Sequence, residues 1–289
     1  MFSGSMVALV TPFRDGAVDY VALENLIDFQ IKSGTDAVLV CGSTGEGLLL
    51  SDNEREKIIT HSLKVANKRV PIIVGCSSCW TEDAIKLTRQ AEELGADGVL
   101  LIAPYYVKPT QYGIIQHFTT VHDSTNISII MYNNPGRCAV DMSVDTIAEV
   151  AKLPRIVALK DSNTNLSRVN FLKQKTPELK LLSGDDASLL GYLAHGGDGC
   201  ISVTANIEPA LVKKLVTSYQ NRDIATAQAV ANKLALINEA MFIEPNPIPV
   251  KYILSRMGFI ANELRLPLCP VSHQAMTRLD EMCILSKKD

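Results

Sequence analysis

Long apolar runs, a dominant charge and a targeting segment are all missing from this 289-residue chain. No apolar stretch reaches the ~20 residues a membrane-spanning helix requires, so a helical membrane protein is excluded. Lys and Arg number 28 against 31 Asp and Glu, giving a formal charge of -3. That balance offers no electrostatic case for nucleic acid or an anionic membrane surface as a partner. The first residues, Met1-Phe-Ser-Gly-Ser5, lack the basic and apolar regions of a secretory signal. Cysteines number 7, an odd and scattered set, which fits reduced thiols in a cytoplasmic protein. One C-x-x-C, Cys76-Ser-Ser-Cys79, has no second pair and no nearby histidine, so no metal is expected. A Gly-x-Gly-x-x-Gly turn is also absent, which argues against a dinucleotide-binding doubly wound sheet.

What is present is one pattern, repeated. Short apolar strand candidates lie at Ser5 to Val10, Asp36 to Cys41, Pro71 to Val74, Gly98 to Ile102, Ser128 to Tyr132, Ile156 to Lys160, Lys180 to Ser183 and Gly199 to Val203. Amphipathic helix candidates separate them: Asp19 to Ser33, Asp52 to Asn67, Thr81 to Leu94, Gln111 to Ser124, Ser143 to Lys152 and Glu208 to Gln220. The shortest helices are expected after Lys160 and Gly184. Eight strand-helix units predict an α/β fold, a (β/α)8 TIM barrel whose active site lies at the carboxyl ends of the strands. From Ile224 onward helical patterns run without further strands. The expected organisation is therefore a catalytic barrel over residues 1–223 and a small helical C-terminal subdomain over 224–289.

The run Arg155-Ile-Val-Ala-Leu-Lys160-Asp161 places a lysine at the end of a strand that is apolar on both faces. Desolvation disfavours an ammonium and so favours the free amine, the form that attacks carbonyls. A lysine snorkelling into water is the alternative for this segment alone. Other strand ends supply complementary groups. Cys41-Gly-Ser-Thr-Gly-Glu46 offers hydroxyls and backbone amides, Ala103-Pro-Tyr-Tyr106 two phenols, and Met131-Tyr-Asn-Asn-Pro-Gly-Arg137 a phenol and a guanidinium. Singly, each has an ordinary structural explanation. Together, an amine nucleophile, hydroxyl relays and anion holders on one rim suit a keto acid activated as an imine.

These segments, with Lys160-Asp-Ser, Leu182-Ser-Gly-Asp-Asp186, Gly199-Cys-Ile-Ser-Val-Thr-Ala-Asn206 and Glu244-Pro-Asn-Pro-Ile-Pro-Val-Lys251, closely resemble the dihydrodipicolinate synthase family. That family belongs to the pyruvate-dependent class I aldolases, which include N-acetylneuraminate lyase. The likeness runs in order from Gly4 to about Val271. It implies condensation of pyruvate with L-aspartate 4-semialdehyde, giving 4-hydroxy-tetrahydrodipicolinate for diaminopimelate and lysine synthesis. Lys160 would form the imine, and Tyr132, Ser43 and Tyr106 would relay protons, Tyr106 from a neighbouring subunit. Thr44 and Ile201 would hold pyruvate through backbone groups, and Arg137 would hold the semialdehyde carboxylate. No cofactor is implied, because the lysine itself supplies the electron sink. The partners implied are the two substrates and further copies of the chain, in a homotetramer built as a dimer of dimers.

Two positions depart from the family pattern. Ser43 stands where threonine is usual, and Asn134 where an apolar residue is common. They keep open a pyruvate-dependent aldolase acting on a sugar acid such as N-acetylneuraminate or 2-keto-3-deoxygluconate, which Arg137 argues against. A non-catalytic barrel is the third reading, disfavoured by the complete residue set. In lysine-regulated relatives an interface pocket holds lysine; the matching positions here are Gly47, Leu48, Asp52, Arg55, Cys79, Asp83 and Tyr105. Bulk at Leu48, like charge at Arg55 and the lost amide at Cys79 imply weak feedback or none.

Overall fold

The computed structural model describes residues 2–285. Eight parallel strands close into a barrel: β1 (Gly4–Ala8), β2 (Ala37–Val40), β3 (Ile72–Gly75), β4 (Gly98–Ile102), β5 (Ile129–Asn133), β6 (Ile156–Asp161), β7 (Lys180–Ser183) and β8 (Gly199–Ser202). All barrel-strand residues are buried except Val157 and Lys180, which are half-buried. Helices outside and packed side chains inside cover both faces, which is why these segments read as apolar runs rather than alternating ones.

The barrel closes where β8 returns to β1. Gly4 pairs with Gly199 there, and a Cβ built on Gly199 would lie 2.0 Å from the Gly4 carbonyl oxygen. Only glycine allows the backbones so close. Asn206 ties the same seam at the rim: its Nδ2 donates to the Ala8 carbonyl at 2.8 Å, and its Oδ1 accepts from the Val10 amide at 3.1 Å.

Nine helices lead to the end of the barrel: α1 (Tyr20–Lys32), α2 (Asp52–Ala66), α3 (Thr81–Glu93), α4 (Gln111–Asp123), α5 (Pro135–Cys138), α6 (Val144–Val150), α7 (Ser167–Lys175), α8 (Leu189–Ala194) and α9 (Pro209–Gln220). Their starts follow capping chemistry. Asp19, Thr110 and Ser143 accept from backbone amides one turn on, and Ser51 with Glu54 forms a reciprocal capping box. Two local features differ from the sequence expectation. Helix α6 spans 7 residues, fewer than the 9 of α7, because its end tightens into i→i+3 bonds from Lys152 to Glu149 and from Leu153 to Val150 ahead of Pro154. A hairpin pairs Phe13–Arg14 with Ala17–Val18 across Asp15-Gly16, both at positive φ, a turn signal too short to register as strand periodicity.

Three further helices, α10 (Ile224–Ala240), α11 (Ile248–Arg256) and α12 (His273–Leu285), complete the described residues. Helix α10 packs on α9, α11 on the turn Thr204–Asn206, and the apolar core continues unbroken from the barrel wall into them. None of the described helices is long and apolar enough to cross a membrane.

One ion pair joins this extension to the rim. Lys251 of α11 donates from Nζ to Oε1 of Glu46 at 2.6 Å, and both side chains are fully buried. Burial pushes the Lys251 ammonium below its ordinary pKa, and Glu46 opposes that shift. The other Glu46 oxygen accepts the Arg265 amide at 3.0 Å, while the Phe13 ring faces the Lys251 ammonium at 4.2 Å.

Lys251→Ala leaves the Glu46 carboxylate buried without its counter-charge, and the expected loss of stability is about 3 to 5 kcal/mol. Adding Glu46→Gln should recover part of it. Urea unfolding of the single and double variants at one fixed protein concentration checks both outcomes.

Candidate functional site

The carboxyl ends of the strands form one rim. Strand register places Tyr132 of β5 directly beside Lys160 of β6, and paired residues on parallel neighbours point to the same face. Lys160 is 4% exposed, and its Nζ sits over the Tyr132 ring, 4.4 Å from the centroid. This is a desolvated amine resting on the negative face of a phenol.

Room for the lysine comes from Gly184, just past β7. A Cβ there would fall 2.3 Å from Ser162 Oγ, 3.1 Å from Lys160 Cε and 3.2 Å from Lys160 Cγ. Ser162 Oγ donates to the Gly184 carbonyl at 3.1 Å. Next to Lys160, Asp161 is fully buried and anchors the strand end. Its Oδ1 accepts from Asn133 Nδ2 at 2.9 Å, and its Oδ2 lies 3.2 Å from Arg168 Nε. Arg168 also donates to Asp141, at 2.9 and 3.2 Å. Desolvation raises the Asp161 pKa despite the Arg168 charge and these hydrogen bonds.

For Tyr132, burial alone would raise the phenol pKa. The Lys160 charge, hydrogen bonds with Asn134 and Ser162, and the Arg137 charge outweigh it, and the net shift is downward. Asn134 Nδ2 donates to the phenol oxygen at 2.7 Å.

Ser43, Tyr132 and Arg137 line one cavity of about 310 Å³. Arg137, on the one-turn helix α5, donates from Nη2 to the Asn246 carbonyl at 3.0 Å, while Asn246 Nδ2 donates to Thr44 Oγ1 at 2.9 Å. Thr44 is thereby buried behind Ser43 in the turn that Glu46 pins. Ile201 is buried on β8, paired with Met6. Just beyond it, Asp186 Oδ2 accepts the Val203 and Thr204 amides, both at 2.9 Å, and fixes that turn. Burial raises the Asp186 pKa against these hydrogen bonds.

Tyr106 does not join the others within one chain. It is 90% exposed at a left-handed φ of 70, whereas its neighbour Tyr105 lines the cavity. The cavity extends away from the rim past Gly47, Leu48, Asp52, Arg55 and Asp83. Arg55 is buried in that extension and donates to the Gly75 carbonyl at 3.0 Å. Cys76 is buried, its thiol pushed up to about 12 by desolvation, and Cys79 is exposed; both are free.

Sequence reasoning missed Gly184, the Asp161–Arg168 pair and Asp186 as organisers of the site. Asp161 carries a signal, a carboxylate directly after an apolar strand candidate that ends at Lys160, and β6 runs through it.

A family model described as the dihydrodipicolinate synthetase family matches residues 1–285. A relative from Parvibaculum lavamentivorans, named 4-hydroxy-tetrahydrodipicolinate synthase, is 46% identical over 95% of this chain and 95% of its own. One of the same name from Thermodesulfovibrio yellowstonii is 46% identical over 98% of this chain and 97% of its own. Among solved structures, the chloride-inhibited dihydrodipicolinate synthase from Acinetobacter baumannii in complex with pyruvate superposes with a TM-score of 0.97 at 39% identity, covering 99% of each chain.

Gly184→Ala is expected to displace the Lys160 side chain. Reductive trapping of a small keto acid on that lysine by borohydride should fall at least about tenfold, with the far-ultraviolet circular dichroism spectrum unchanged.

Proposed function

The chain belongs to the dihydrodipicolinate synthetase family, and from that membership we propose that it condenses pyruvate with L-aspartate 4-semialdehyde to give 4-hydroxy-tetrahydrodipicolinate. The observation that carries this reading is the buried Lys160 amine stacked on Tyr132 at the carboxyl end of β6. The relatives' names favour the synthase over a sugar-acid aldolase.

Lys160 Nζ adds to the ketone carbon of pyruvate, and loss of water gives an imine. The imine draws electrons from the methyl group, so a proton leaves and an enamine forms. Its terminal carbon attacks the aldehyde of the semialdehyde. The substrate's own amine then displaces Lys160 and closes the ring, which frees the lysine for another cycle. Each step moves a proton, and in this reading Tyr132 and Ser43, which line one cavity, relay it. A serine keeps the hydroxyl of the usual threonine but not the methyl that restricts χ1.

In this reading the Thr44 amide and the Ile201 carbonyl hold pyruvate, and Arg137 at the open side of the cavity holds the semialdehyde carboxylate. Tyr106 completes the relay from a neighbouring copy. Its exposure beside exposed Val107 fits contact with another copy, and the resemblance implies the arrangement, a tetramer assembled from dimers. The enzyme then serves diaminopimelate and lysine synthesis in the cytoplasm, with no metal or organic cofactor in the reaction.

Pyruvate with borohydride should inactivate the protein and add one reduced pyruvyl group to the peptide carrying Lys160. Equal labelling of a Lys160→Ala variant in the same mass-spectrometric experiment would remove the lysine from this role. Arg137→Ala should reduce kcat/KM for the semialdehyde about tenfold or more, the loss of a charge-assisted contact, while leaving pyruvate trapping intact. A variant that lost trapping but kept semialdehyde use would reverse the substrate assignment.

A third expectation concerns feedback. Six of the seven positions matching a lysine pocket line the cavity, and Arg55 sets a fixed positive charge in its extension. L-lysine up to millimolar concentration should therefore barely change initial rates at near-saturating pyruvate; submillimolar inhibition would contradict this.

A further inference from the structure

Asn134 follows β5 and caps α5, the turn that carries Arg137. Its Oδ1 accepts the backbone N–H of Arg137 at 3.1 Å. A backbone amide can only donate, so this contact fixes which end of the carboxamide faces the turn. The Nδ2 end is left facing the phenol oxygen of Tyr132, 2.7 Å away. With one side of that oxygen occupied by an incoming donor, the Tyr132 proton must point elsewhere.

We propose that Asn134 is a positioning residue for the proton relay: one carboxamide joins the turn bearing Arg137 to Tyr132 and favours the phenolate formed when Tyr132 gives up its proton. The inference rests on the reading of Tyr132 as a relay. A donor hydrogen bond strengthens as its acceptor becomes charged, so the contact is worth most during proton transfer. An apolar residue at this position could neither cap the turn nor donate to the phenol. The charged groups facing the phenol are Lys160 on β6 and Arg137 beyond the turn; β4 presents Ile102 in register. Both charges already favour the phenolate, and Asn134 adds a neutral donor that does not vary with pH.

Substitution can separate capping from donation. Asn134→Ser and Asn134→Thr both keep a neutral capping hydroxyl on a side chain too short to reach the phenol. In both, phenolate absorbance near 295 nm, corrected by subtracting a Tyr132→Phe background, should titrate at higher pH than in the parent. The alkaline limb of kcat should move the same way, and kcat should fall about tenfold. The thermal midpoint, KM for pyruvate and borohydride trapping on Lys160 should stay close to the parent values. Parent-like titration and pH profile in both variants would overturn the proposal and leave Asn134 a cap only. If Tyr132→Phe alone retains parental kcat, the relay reading falls, and this inference falls with it, a result distinct from a silent Asn134.

Discussion

A primary amine taken out of water must either be neutral or be compensated, and the rim of this barrel is arranged around that constraint. Lys160 has the face of Tyr132 on one side and the space opened by Gly184 on the other. The carboxylate next to it in the chain, Asp161, is held by Arg168 and Asn133. Alternation along β6 sends adjacent side chains to opposite faces, so the lysine enters the barrel and the aspartate anchors the strand in the outer layer. The position of the amine and the anchoring of its strand therefore share one structural origin.

A second group of buried polar contacts holds the loops that surround it. Glu46 and Lys251 fasten the turn after β2 to α11, Asp186 gathers the amides of Val203 and Thr204, and Asn206 bridges the first and last strands. Buried ion pairs add little net stability compared with apolar packing, but they are specific about geometry. At this rim they set loop positions to within hydrogen-bond tolerance, which a reaction with several proton transfers requires.

The barrel was legible in the sequence because strands buried on both faces leave short apolar runs between capped helices. Asp19, Ser51, Thr110 and Ser143 mark helix starts by local chemistry alone. The hairpin at Phe13–Val18 was not legible, since strands of 2 residues carry no period and only Asp15-Gly16 announced the turn. In the site, Lys160, Tyr132, Ser43 and Arg137 declared themselves by residue type at strand ends. Gly184, Arg168 and Asp186 did not, because their roles are set by partners on other elements that only the folded chain brings near. Tyr106 is a different case: its residue type was visible, but its side chain stands exposed, apart from the others in its own chain.

The glycine pair at the seam bears on how such a protein can change over generations. Gly4 and Gly199 meet where the first and last strands join, and no side chain fits between their backbones. Substitution at Gly199 would pry apart the ring on which every active-site loop is mounted, whereas exposed loop positions meet no such close backbone. Heritable variation is thus channelled away from the closure and toward the rim. Mutant libraries that leave this seam untouched would keep more folded members while sampling new aldehyde partners.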